Sequence, residues 1–337
     1  MVNSSTKIIS VASSELNPPG VSVLICTRGR RAMLDVLVSD LLRQTYPQQA
    51  TEIVVVEETD KPRPLKGVRY ISIPTRDLGF AHARNLAWRH ATNDIVVYVD
   101  DDCRVSPDWL QKLLTPFTDL TVVGIQGGVT VPRSTNAVGW AETILGFPGG
   151  GIRRVLEAEG KFQETTVIST LNCAYRKSII DKVGGFDEEL RFGGEDYLLS
   201  KEACRYGRCL FVPDATVNHK TRGNLRNIWV WFVRRGRAEI ALVRTKRQNY
   251  TTFWTVCKSS LTLKLCSLFL IGLILPKLLP FLLILTPSVY IVLQCSRYHS
   301  AWKLSRAPKL AITLLPIVKL TMDAAMDWGR FRGFAID

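Results

Sequence analysis

The chain has 337 residues, 46% of them hydrophobic and 22% charged. That excludes a disordered polypeptide and leaves room for one large domain or two smaller ones. The formal net charge is +14, but the excess is local: residues 1–218 carry 25 Lys and Arg against 26 Asp and Glu, whereas residues 219–320 carry 17 against the single acid Glu239. A basic excess confined to the most apolar part of a chain argues against a nucleic-acid binder and for the cytoplasmic face of a cell membrane bearing anionic lipids.

Residues 1–20 hold no charged stretch followed by an apolar one, so no signal peptide is expected, and Pro18-Pro19-Gly20 closes a flexible leader. VSVLIC (21–26) is a continuous apolar run of strand length. Residues 30–43 put Met33, Leu34, Leu37, Val38, Leu41 and Leu42 on one helical face. EIVVV (52–56) predicts a second strand and Val68–Ile73 a third. A helix opens after Gly79 and runs over 80–91, and the next strand is 95–99. Ser106-Pro107 then supplies the cap and first position of a helix through Phe117. Strands apolar on both faces and alternating with helices imply a parallel sheet covered on each side. Ligands bind such sheets beyond the carboxyl ends of the strands. Glu57-Glu58 and Asp100-Asp101-Asp102 fall at two such ends.

Past residue 120 the pattern is more mixed. Strands are expected at Val122–Val131, Thr170–Tyr175 and 209–212, with helices at Lys177–Val183 and from Glu195 to Tyr206. A basic, aromatic helix near 225–245 carries Trp229, Trp231, Arg234 and Arg235; it suits a membrane interface or brings arginines near a phosphate. Leu265–Leu275 and Leu278–Gln294 are free of charge, and Pro276, Lys277 and Pro280 interrupt them. Two helices forming a hairpin that spans or enters a bilayer are expected. The alternative is a buried hairpin of a soluble domain, against which stands the lack of any acid between Thr251 and Leu320. The eight cysteines include no C-x-x-C pair, so reduced thiols are expected rather than a zinc site or a disulfide framework.

Three carboxylates at one strand end repel one another and raise each other's pKa unless something positive offsets them. Alone, they also fit a solvated turn. A hard divalent cation, Mg²⁺ or Mn²⁺, shared with substrate phosphates is a chemically apt partner. Glu195-Asp196 follows two glycines at a helix start, where the helix dipole favours ionised carboxylates. One of them suits proton removal from a hydroxyl. The turn CTRGRR after the first strand lacks G-x-G-x-x-G, which disfavours a nicotinamide-dependent oxidoreductase.

VSVLICTRGR, EIVVVEETD, LGFAHARNLAWRHATNDIVVYVDDDCRVSPDWL, GGFDEELRFGGEDYLLSKEACRYG and VPDATVNHK follow one another in order and spacing. With them, Val21 to Gly236 resembles glycosyltransferase family 2, inverting enzymes of the GT-A fold. The resemblance implies an α/β fold with a Rossmann-like mixed sheet flanked by helices over residues 21–250. Membrane-associated helices follow over 251–337, and DAAMDWGRFRGF resembles the docking or anchoring helix that ends some membrane-bound members. The implied activity is transfer of a sugar from a nucleotide-diphospho-sugar to a glycan or polyprenyl-linked acceptor, assisted by Mg²⁺ or Mn²⁺. The implied metal ligands are Asp102, Asp100 and His219. Asp100 and Asp101 would also face the ribose, and Thr27, Arg28, Glu57 and Arg84 the rest of the donor. Glu195 and Asp196 form the implied catalytic pair, with Asp196 as general base. The chain departs from the family in reading Glu57-Glu58-Thr59-Asp60 where D-D-G-S is usual, which leaves the nucleotide open. That departure also supports a competing reading, a degenerate membrane-bound nucleotide-sugar binder or scaffold. The intact aspartates, Glu195-Asp196 and His219 speak against it.

Overall fold

Runs rich in Val and Ile form strands because branched side chains pack well on a pleated surface buried on both faces. The computed structural model describes residues 18–76, 78–245 and 253–336. It opens with β1 (Val21–Arg28), α1 (Arg31–Leu41), β2 (Thr51–Glu58), β3 (Arg69–Ile73), α2 (Phe80–His90) and β4 (Ile95–Val99). Next come β5 (Cys103–Val105), α3 (Trp109–Leu114), β6 (Val122–Thr130), α4 (Ala137–Ile144), α5 (Gly151–Glu157), β7 (Gln163–Glu164) and β8 (Asn172–Arg176). After α6 (Lys177–Val183), α7 (Glu195–Ala203) and β9 (Arg208–His219), the chain is helical: α8 (Leu225–Arg244), α9 (Phe253–Ser259), α10 (Leu261–Ile274), α11 (Leu279–Ser305) and α12 (Lys309–Ile336).

One sheet runs in the order β3-β2-β1-β4-β8-β6-β9-β5, with β7 paired to β9. The strands β3, β2, β1 and β4 are parallel, as their apolar pattern implies. The sheet becomes mixed at β8, which lies antiparallel to both β4 and β6. Leu34 and Leu37 of α1 with Trp109 and Leu113 of α3 cover one face. Ala87 and Trp88 of α2 with Ile180 of α6 and Leu199 of α7 cover the other. The parallel strands therefore end together, delivering Thr27, Glu57 and Asp100 to one edge. The last strand is far longer than CLFV alone, because β6 pairs with most of it and β5 with its end. Its final residue, His219, lies opposite Cys103, and this register carries the histidine to the aspartates.

Asp40 ties α1 to β5. It accepts from Arg104 Nε at 2.5 Å and Nη2 at 3.0 Å, and from Arg43 at 3.1 Å. Burial alone would raise its pKa, but Arg104, the Val105 N–H and Arg43 outweigh it and hold the carboxyl below its ordinary value. The stabilisation is complete above the unfolded pKa and is lost as pH falls through the folded one. Asp40→Asn is expected to cost about 1–3 kcal/mol at neutral pH. The gap between the two urea midpoints should narrow as pH falls below the ordinary aspartate pKa, and a pH-independent gap would refute the assignment.

The expectation of reduced thiols is corrected at one pair. Cys204 and Cys209 form a disulfide, with Cα atoms 5.7 Å apart, because the turn from α7 into β9 brings them side by side. The leader up to residue 17 and the expected boundary at 250–251 lie outside the described residues.

Helices α10 and α11 are joined by one turn at Pro276–Leu278, where Pro276 and Lys277 interrupt the apolar run, and Pro280 follows in the first turn of α11. Pro280–Ser305 is long and apolar enough to cross a membrane. Phe269, Ile274, Phe281, Ile284 and Val292 are all more than half exposed. Helix α12 folds back onto α8 at a glycine crossing. A Cβ on Gly329 would stand 2.1 Å from the Val233 carbonyl oxygen, and one on Gly236 would stand 2.2 Å from that of Met326. Only hydrogen at both positions allows this approach.

Candidate active site

Three parallel strand ends and the end of β9 build the site. Below the end of β4, Asp100 N–H donates to Leu171 and its carbonyl accepts from Cys103 N–H. This tight turn splays the three aspartates. Asp101 is buried, and Thr27 Oγ1 donates to it at 2.5 Å. Asp102 turns toward β9 and lies 3.4 Å from His219 Nε2. Asp100 turns toward α2 and lies 3.9 Å from Arg84 Nη2.

The positive charge that the aspartates require is already present in the protein. Arg30 Nη1 bridges Asp101 at 3.0 Å and Asp102 at 2.8 Å. Burial still raises the Asp100 pKa to about 6, with Arg84 opposing and the two neighbouring aspartates adding. Burial, aided by Arg222 and Arg30, lowers His219 to about 4, so its imidazole is neutral at physiological pH. Of the three expected metal ligands, Asp102 and His219 stand side by side and Asp100 lies within electrostatic reach of both, while among the described residues no three His, Cys, Asp or Glu side chains are already grouped as a metal site. Asp102 Oδ1 and His219 Nδ1 are buried without hydrogen-bond partners.

Beside the aspartates, a cleft of about 500 Å³ is lined by Arg28, Gly29, Arg31, Glu57, Glu58 and Asp60, among others. Glu57 is buried at its floor, fixed by Tyr70 Oη at 2.6 Å and Arg31 at 3.1 Å. Arg28 lies 3.7 Å from Glu58 at the rim.

Arg84 does not face the cleft. It is buried and pairs with Glu195, itself 2% exposed. Burial works against the cation, but Glu195, Asp100 and Asp196 hold Arg84 well above its ordinary pKa, so the guanidinium stays charged; burial raises Glu195 above its ordinary value, with Arg84 opposing. Glu195 is thus committed to Arg84, while half-buried Asp196 accepts the Tyr197 N–H at 2.8 Å. Gly194 caps α7 with φ 94°, a left-handed conformation that glycine adopts without strain. The loop before it is clamped from α8: Arg234 Nε donates to Phe192 O at 3.0 Å, and its guanidinium lies over Phe80.

Sequence reasoning missed Arg30, Arg31 with Tyr70, the loop clamp of Arg234, and Arg222 on buried Glu142. For Arg30 a signal existed: TRGRR places arginines at one strand end of a sheet whose neighbouring strand ends in three aspartates. For Arg84 the helical spacing was the signal, because it shares a face with Ala81 and Trp88.

Residues 22–184 match the model of glycosyl transferase family 2. The chain is 26% identical over 245 residues to a probable N-acetylgalactosaminyltransferase 7 of Caenorhabditis elegans, the match covering 61% of this chain and 40% of the relative. It is 26% identical over 220 residues to a glucosyl-dolichyl phosphate glucuronosyltransferase of Haloferax volcanii, covering 59% and 69%. The fold is similar to that of a mannosyltransferase from Pyrobaculum calidifontis solved with GDP-Man and Mn²⁺, with TM-score 0.58 and 19% identity over 94% of this chain and 87% of that one.

Proposed function

We propose that this chain, whose residues 22–184 match the model of glycosyl transferase family 2, transfers a sugar, with inversion, from a nucleotide-diphospho-sugar to a hydroxyl of a glycan or polyprenyl-linked acceptor. The observation that carries this reading is the meeting, at one sheet edge, of a nucleotide-sized cleft, the Asp102–His219 pair and Asp196. Glu57 at the cleft floor reads the base, in company with Thr27 and Arg28 at the end of β1. Asp100 and Asp101 face the ribose side. Asp196 takes the proton from the attacking hydroxyl, and the Arg84–Glu195 pair fixes the helix start that presents it.

An unpartnered buried carboxylate oxygen beside a neutral imidazole fits a divalent cation, Mg²⁺ or Mn²⁺, held by Asp102 and His219, with phosphate and water oxygens completing its shell. Such a cation supplies charge stabilisation to a departing diphosphate. Residues 1–20 are a leader, 21–250 the catalytic domain and 251–337 membrane-associated helices. The exposed apolar surface of α10 and α11 and the basic excess of residues 219–320 support seating on the cytoplasmic face of a membrane with anionic lipids.

The test is thermal shift on detergent-purified protein with UDP, GDP, dTDP and CDP, each with Mn²⁺ and with EDTA. One nucleotide is expected to raise the melting temperature, and only with metal. No shift with any of them would favour the scaffold reading. In the same assay Asp102→Asn should abolish the metal-dependent part. Wild-type affinity in the variant would place the metal elsewhere.

A further inference from the structure

The junction of β1 and α1 carries three arginines, and each meets an acid. Arg28 lies at Glu58, and Arg31 is held by Asp35 and Glu57. Arg30 reaches the aspartates that follow the neighbouring strand. Its contacts with Asp101 and Asp102 both come from Nη1. They therefore lack the paired fork with which a guanidinium holds one anion most firmly. The two sides of this contact differ in exposure. The Arg30 side chain is 53% open to solvent, whereas those of Asp101 and Asp102 are 5% and 15% open. The arginine is free to leave, and the carboxylates cannot follow it.

If Arg30 leaves, Asp101 keeps the Thr27 hydroxyl on its other oxygen. Asp102 presents Oδ1, which lacks a hydrogen-bond partner beside His219, and Arg30 holds its Oδ2. A divalent cation at Asp102 would thus meet the Arg30 charge on the same carboxylate, and like charges there weaken each other's hold. A diphosphate reverses that relation, because its oxygens match the guanidinium fork. The neighbours of Arg30, Gly29 and Arg31, line the cleft proposed for the donor. A Cβ at Gly29 would meet nothing within 4 Å, so the turn is open on that side.

We propose that Arg30 is an exchangeable counter-ion, which neutralises Asp101 and Asp102 until the donor arrives and then passes to its diphosphate as a divalent cation takes Asp102. Metal and donor consequently bind together, and neither binds well alone. The proposal rests on the reading of this edge as a nucleotide-sugar site with the cation at Asp102 and His219. No covalent bond changes at Arg30.

The test uses the full chain in detergent and reads two equilibria, without turnover. The first is Mn²⁺ binding in the absence of nucleotide, followed by the electron paramagnetic resonance of free Mn²⁺. Arg30→Gln is expected to bind Mn²⁺ about tenfold or more tightly than wild type. Arg30→Met should do the same, and Arg30→Lys, which keeps the charge, should stay close to wild type. The second is the Kd of whichever of UDP, GDP, dTDP and CDP binds, measured in EDTA and in saturating Mn²⁺ by titration calorimetry. The ratio of the two values should fall about tenfold or more in Arg30→Gln, because the penalty that the donor relieves is already gone. Similar melting temperatures in Mn²⁺ report that the variants are folded. Mn²⁺ binding no tighter in Arg30→Gln and Arg30→Met than in wild type overturns the proposal and leaves a structural ion pair. A nucleotide Kd weakened equally in EDTA and in Mn²⁺ also overturns it, since Arg30 would then be a fixed diphosphate ligand. Failure of the wild type to bind any nucleotide in Mn²⁺ is a different result, and it removes the underlying reading.

Discussion

Asp196→Asn is expected to lower kcat by about 10²–10⁴-fold while leaving nucleotide affinity unchanged. Asparagine keeps the shape and can still accept the Tyr197 N–H, so the start of α7 stays capped. What it loses is the basicity that removes a proton as the hydroxyl attacks. The residue comes from α7, whereas the cleft is lined from β1, β2 and the loop after β2, so donor binding has no reason to change. Unchanged turnover would show that the base is elsewhere. Glu195→Gln provides the contrast. It leaves buried Arg84 without its paired charge, a loss of about 3–5 kcal/mol, and so should lower the melting temperature as well as the rate.

Gly329→Leu is expected to unseat α12 from α8 and to cost about 3 kcal/mol or more. The added Cβ would stand 2.1 Å from a main-chain oxygen that no rotamer change can move. The helices must separate, and contacts among Ile228, Phe232, Val318, Met322 and Ala325 go with them. Activity should fall too, since α8 carries Arg234 and the clamp on the loop before Glu195-Asp196. Thermal unfolding with a transfer assay checks both, and an unchanged melting temperature would mean that the crossing is looser than the geometry requires.

The strand ends were legible because β1, β2 and β4 are short runs with apolar centres, followed by polar residues at their carboxyl ends. That pattern has one good solution, a covered parallel sheet, and it places Thr27, Glu57 and Asp100 without knowledge of any loop. The direction of each aspartate was not legible, because it depends on the turn at Asp100–Cys103 and on which residues β5 meets. Arg84 illustrates a different limit. Its helix and its buried face follow from spacing, but its partner Glu195 is 111 residues away, and no local pattern connects them. The helices α4 and α5, of 8 and 7 residues, are too short to show a period. The role of Gly329 became visible only when α8 was set against it, since a glycine in a helix marks a crossing only if another backbone arrives there.

The position of α12 in the chain has a consequence for biosynthesis. During translation α8 leaves the ribosome before residues 309–336 have been synthesised, and the apolar helices α10 and α11 emerge in between. The face of α8 that holds Ile228, Phe232 and Gly236 stays sticky throughout, a target for chaperones or for aggregation. Residues 18–245 expressed alone would keep that uncovered face permanently.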